Sequence, residues 1–167
     1  STSIQAELRY RNLETGDLGL HYFEDDFSPF QTEKTEGTNF RVGLRRDFGP
    51  AVTVLASYMR SDRDIDFSLP NPDLGESFGL VREEKADSVE GQVLYRSPRL
   101  KVVAGGGYFG IDSEESTTFA IEDPIFGFSD ITTGDSRVEH ANLYGYAHLT
   151  LPGNLTLTLG ASGDLFE

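Results

Sequence analysis

The chain of 167 residues carries 28 acidic against 14 basic side chains, a formal charge of −14, with 37% hydrophobic residues, 12 Phe, 7 Tyr, 18 Gly and no Cys or Trp. That length suits one domain, the aromatic content is too high for a disordered acidic tail, and the acidity argues against nucleic acid, whose readers carry a basic face. Without cysteine there is no disulfide framework, thiolate metal site or cysteine nucleophile. No apolar run nears the ~20 residues of a membrane-spanning helix, and Ser1-Thr2-Ser3-Ile4 shows neither the basic nor the apolar region of a signal peptide.

Taken in chain order, segments of about ten residues alternate with period 2, the pattern of strands with two unlike faces. The first sets Ile4, Ala6, Leu8 and Tyr10 against Gln5, Glu7, Arg9 and Arg11. Seven more are predicted at 18–23, 39–48, 51–60, 88–96, 100–110, 139–151 and 155–165. Four connections, at 12–17, 49–50, 97–99 and 152–154, are short and rich in the Gly, Pro, Asn and Asp of tight turns. Three others, near 24–38, 61–87 and 111–137, are long. Residues 1–167 are thus expected to form one all-β, antiparallel up-and-down unit of four hairpins, with short turns at one end and long loops at the other. The long segments carry net charges of −4, −5 and −6, while everything else sums to +1. The acidity is therefore expected in the loops.

An antiparallel sheet with one apolar face buries it against a second sheet or turns it outward to lipid. Here the apolar face is small and smooth, as in Ala141, Leu143, Gly145, Ala147 and Leu149, whereas the other face of that strand carries His140, Asn142, Tyr144, Tyr146 and His148. Aromatic residues on the apolar face cluster at segment ends, as at membrane interfaces. Tyr10, Phe48 and Tyr95 adjoin short turns; Tyr22, Phe40, Tyr58 and Tyr108 adjoin long loops. Phe40 to Phe48 spans roughly 26 Å at ~3.3 Å per residue, or roughly 20 Å once tilted, near the ~25 Å apolar band of outer-membrane barrels. The first and last strands are both expected to meet the long-loop end, as in an excerpt of a larger barrel.

The stretches Phe27-Ser28-Pro29, Val42-Gly43-Leu44-Arg45-Arg46-Asp47-Phe48-Gly49-Pro50, Val102-Val103-Ala104-Gly105-Gly106-Gly107-Tyr108-Phe109, and the run from Asn142-Leu143-Tyr144 to Leu157-Thr158-Leu159-Gly160-Ala161-Ser162 carry a family resemblance. They resemble the barrel region of bacterial tetratricopeptide-repeat proteins with an outer-membrane β-barrel of porin or TonB-dependent-receptor type. The resemblance implies a periplasmic helical repeat domain in the same protein and, by fold-level analogy, passage of a polysaccharide or other solute. No ~34-residue helical repeat occurs within this sequence.

Reactive motifs are sparse. Asp62, Asp64 and Asp66 with Asp73 mimic a calcium loop in part, but Phe67 stands where the sharp turn needs Gly, and Asp73 where a bidentate Glu is usual. Acidic loops are a second candidate for Ca²⁺. His140 and His148 lie roughly 26 Å apart along one strand, too far to share a metal. There is no G-x-S-x-G, H-E-x-x-H or Walker pattern, and the triple glycine at 105–107 reads as a place of curvature or close packing. Arg9, Arg11, Arg41 and Arg45, with His140 and His148, are placed on the polar face, lining a lumen, where the arginines either select anionic solutes or pair with acids such as Glu7 and Glu90, pairing being the favoured reading. The expected function is a non-enzymatic, porin-like conduit or scaffold in a bacterial outer membrane, in contact with lipid and lipopolysaccharide, for polysaccharide or solute export. The alternative is a soluble secreted β-sandwich that binds through acidic loops.

Overall fold

The structure, a computed structural model, describes residues 1–17, 19, 27–122, 125, 127–153 and 155–167. They form seven strands: β1 (Thr2–Thr15), β2 (Thr32–Phe48), β3 (Val52–Asn71), β4 (Glu76–Arg96), β5 (Leu100–Ile121), β6 (Phe128–Thr150) and β7 (Thr156–Phe166). Each pairs antiparallel with the next in chain order, giving one meandering sheet whose outer edges, β1 and β7, are unpaired. The all-β, up-and-down architecture follows from the period-2 alternation, and the sheet does not close on itself. The strand expected at 18–23 falls almost wholly outside the described residues.

Two expectations about connectivity are corrected. β1 pairs directly with β2, Leu8 opposite Phe40 and Thr15 opposite Glu33, so 12–15 extend a strand and residues 16–31 form the connection. The reason is that period 2 persists beyond Asn12 with its apolar phase moved to the other face, where Leu13 and Thr15 stand. Ser1 accordingly lies at the short-turn end, where the Asp47 N–H donates to its carbonyl at 2.8 Å. Phe166 lies at the other end, opposite His140. The expected meeting of first and last strands at one end therefore does not occur.

The segments 61–87 and 111–137, expected as long loops, are hairpins. β3 and β4 run to a turn at 72–75, β5 and β6 to a connection at 122–127, and 32–38 belongs to β2. Gly75, at φ +62°, turns the β3–β4 hairpin; a Cβ there would stand 2.9 Å from the Glu122 carbonyl. These strands of 20 to 23 residues reach about 66 Å or more at ~3.3 Å per residue. That is twice the ~9–11 residues needed to cross a bilayer. The acidic charge therefore sits largely on ladders rather than in loops.

No described residue is buried: Ile4, Leu143 and Leu165 are 72%, 74% and 75% exposed. A β-sandwich would cover such residues with a second sheet; the described residues form a single layer, which removes the sandwich alternative.

Candidate functional site: a two-faced wall

Register fixes which side chains share a face, because residues directly opposite across a ladder point the same way. On face one, Val42, Tyr58, Val89, Tyr108, Ala141 and Leu165 stand in one row across six strands. A second row, Phe48, Val52, Tyr95, Val102, Ala147 and Leu159, runs near the short turns. Between them lie small or aliphatic residues, among them Ala56, Gly91, Ala104 and Leu143. The exception is Arg46, whose guanidinium carbon sits 4.9 Å from the Phe48 ring centroid, close to the turn end, as a snorkelling base would.

Phe40, Tyr58 and Tyr108 mark one edge of this band and Phe48 and Tyr95 the other. Tyr10, expected beside the short turns, is opposite Thr38 and so belongs to the first edge, because β1 runs the other way from the direction expected. Tyr22 lies outside the described residues.

Beyond that first edge the polarity of the sheet exchanges. On face one, Glu36, Asp64, Glu83, Glu114 and Asp135 stand opposite one another in an unbroken row across β2 to β6. Like charges in directly opposed positions are destabilising. Bases in the adjoining rows relieve part of this: Lys34 bonds Glu36 at 2.7 Å, and Lys85 reaches Glu83 at 4.0 Å. The hydrogen bond to Glu36 holds the Lys34 ammonium charged to higher pH than usual. On face two of β3 to β5 the residues include Ile65, Phe67, Leu69, Phe78, Leu80, Phe119 and Ile121, with Phe67 and Phe78 edge to face at 6.1 Å. Arg82 spans this face to Glu115, its Nε at 2.8 Å, and that carboxylate raises the guanidinium's already high pKa. A charged belt marks the changeover: Arg60 holds Asp87 at 2.7 Å and Asp62 at 3.1 Å, and the Tyr58 hydroxyl donates to Asp87 at 2.6 Å.

The geometry places Asp62, Asp64 and Asp66, named in the calcium-loop reading, on a strand. They occupy successive face-one positions of β3, a strand rather than a loop, and Asp62 is engaged by Arg60. No group of three or more metal-ligating side chains occurs among the described residues.

Arg9, Arg11, Arg41, Arg45, His140 and His148 all fall on face two. Arg9 bonds Glu7, which stands opposite Arg41; Arg45 contacts Asp47 at 3.3 Å. His140 is 3.0 Å from Asp164 and stacks on Phe166 at 4.2 Å, and the His148 Nδ1 is 3.0 Å from the Thr158 hydroxyl. Glu90, expected to pair with an arginine, instead accepts from the Tyr144 hydroxyl at 3.1 Å, which in turn accepts from Gln92 at 2.9 Å. The Tyr144 ring lies across Gly105, where a Cβ would meet its hydroxyl and the Gly91 carbonyl, each at 2.7 Å. Spacing alone did not reveal this network. The signal was an aromatic residue placed by register opposite a mid-strand glycine.

No family model matches the sequence, tetratricopeptide repeats included, and no curated protein matches it. Solved structures do. The ferric preacinetobactin receptor BauA from Acinetobacter baumannii is similar over 81% of this chain and 25% of its own (TM-score 0.56, 12% identity). The siderophore receptor PiuA from the same organism is similar over 82% and 30% (0.53, 11% identity), and the RagAB peptide transporter over 81% and 18% (0.56, 10% identity). At these identities the likeness is one of fold. The sheet has the form of a stretch of wall in an outer-membrane β-barrel, and the chain spans less than a third of each of these proteins.

Proposed function

We propose that this chain is barrel wall in a bacterial outer membrane, with face one against lipid and face two toward a polar lumen. It acts without enzymatic chemistry as a porin-like conduit or scaffold, with polysaccharide or another solute as cargo. The observation that carries the reading is the face-one band, an aliphatic surface bounded by two aromatic rows and covered by nothing among the described residues. Apolar surface left in water forgoes about 25 cal/mol per Å², whereas a lipid-facing barrel wall needs that surface outward. The polar character of face two, with its paired bases and hydrogen-bonded Tyr144, suits a wet lumen.

By the general rule for such barrels, the short turns face the periplasm and the long hairpins project outside. The surroundings are then outer-membrane lipid at the band and lipopolysaccharide at the acidic rows. A periplasmic repeat domain in the same protein is part of the proposal, carried by the sequence resemblance alone.

The test is extraction and conductance. The full protein should fractionate with outer membranes, require detergent, run as a compact band that shifts on heating, and conduct ions in planar bilayers if the lumen is open. A protein that is monodisperse without detergent refutes the membrane reading. A heat-shifting protein without conductance retains the scaffold and removes the conduit.

A further inference from the structure

The distal end of face two holds a cavity of about 450 Å³, within the range of small-molecule sites. Phe78 and Phe119 of the sheet line it together with Phe27 and Phe30 of the β1–β2 connection. Asp73 and Glu76 also line it; among the described residues no Lys, Arg or His lines it, and neither carboxylate forms an ion pair. The connection is held in place: the Ser28 N–H donates to the Asp17 carboxylate at 3.0 Å, and the Gln31 N–H closes a turn on the Ser28 carbonyl at 3.1 Å. Phe78 is further fixed by its edge contact with Phe67.

Aromatic rings present negative faces, and a cation over such a face gains most where water is partly excluded. Rings and carboxylates lining one cavity discriminate by charge: an organic anion meets repulsion, a neutral solute gains apolar contact alone, and an organic cation gains both. We propose that this cavity binds small organic cations that bear an apolar or aromatic body, such as substituted ammonium compounds. The site lies beyond the face-one band and does not depend on whether the lumen conducts.

The experiment uses the full detergent-solubilised protein and three probes of like shape: benzyltrimethylammonium, benzyl alcohol and benzenesulfonate. Binding is followed by calorimetry and by ligand-observed NMR. The expected result is saturable binding of the cation, at least tenfold tighter than the sulfonate. Glu76→Gln and Phe78→Leu should each weaken cation binding by about two- to thirtyfold, the span of a cation–π or carboxylate contact. Both variants should keep the parent's heat-shifted gel band, so that weakened binding is not mistaken for misfolding. Equal affinity for cation and sulfonate, no saturable cation binding, or unchanged affinity in both variants overturns the proposal. Each of these outcomes is distinct from the extraction and conductance results that decide the membrane reading.

Discussion

Leu143→Arg tests the face-one assignment quantitatively. Leu143 lies two residues along β6 from Ala141 in the upper aromatic-marked row and four from Ala147 in the lower. At ~3.3 Å per residue and a tilt of about 40°, it sits roughly 5 Å below one row and 10 Å above the other, near the middle of the band. An arginine at the middle of a lipid face costs about 2–4 kcal/mol, falling to about 0–1 kcal/mol near the interfaces. Leu159, opposite Ala147 in the lower row, supplies the shallow control. At a water-exposed site a substitution away from special features stays within about 0.5 kcal/mol, and Leu143 is 74% exposed in the isolated chain. Lipid and water therefore differ by about 1.5 kcal/mol or more, roughly tenfold or more in the ratio of folded to unfolded protein. The assay is reversible urea unfolding of the protein in vesicles, read from the heat-shifted band and from circular dichroism. Leu143→Arg should lose about 2–4 kcal/mol and Leu159→Arg about 1 kcal/mol or less. Equal losses at the two depths, or a Leu143→Arg loss under about 0.5 kcal/mol, would refute a lipid contact.

Gly105→Ala places a methyl group 2.7 Å from the Gly91 carbonyl and the Tyr144 hydroxyl; because one of these is backbone, relief is limited, and about 1–3 kcal/mol should be lost in the same unfolding assay. Tyr144→Phe keeps the ring over Gly105 but removes the hydroxyl between Gln92 and Glu90, which should cost about 0.5–1.5 kcal/mol. Glu114→Gln interrupts the acidic row between Glu83 and Asp135 and should raise the thermal midpoint at low ionic strength; at 1 M salt, where screening acts over about 3 Å, the gain should vanish. Lys34 has a raised pKa in the folded state, so its contribution is complete below the ordinary lysine value of 10.5 and disappears as pH climbs through the raised value. The stability difference between Lys34→Gln and the parent should therefore stay level from pH 7 to 9 and close only at more alkaline pH.

The division of side chains between two faces was legible because it depends only on the period of 2: Arg9, Arg41, His140 and His148 fall on one side, and Tyr58, Tyr95 and Leu143 on the other. Strand partners and strand ends were not. Alternation says which face a residue takes but not which neighbour it faces, so Leu13 and Thr15 could pair with nothing until the partner of β1 was known. The ends of β3 to β6 were missed for a different reason. Apolar content on one fixed face served as the mark of a strand, and at Asp62, Asp64 and Asp66 that face turns acidic while Ile65, Phe67 and Leu69 carry the apolar phase on the other. The period persists through the exchange. The distal cavity was hidden for the same reason, since its aromatic residues come from hairpins that read as loops and from a connection at 27–30 that packs back on them.

The exchange of polarity along β3 to β5 also acts as a waterline. Sinking the sheet by one residue pair per strand, about 5 Å after tilt, would carry Arg60, Asp87 and Glu139 into hydrocarbon. Raising it by the same step would lift Val42, Val89 and Ala141 into the headgroups and draw the turn-end residues upward. Both displacements are uphill. The depth at which such a sheet floats is therefore written into its own strands.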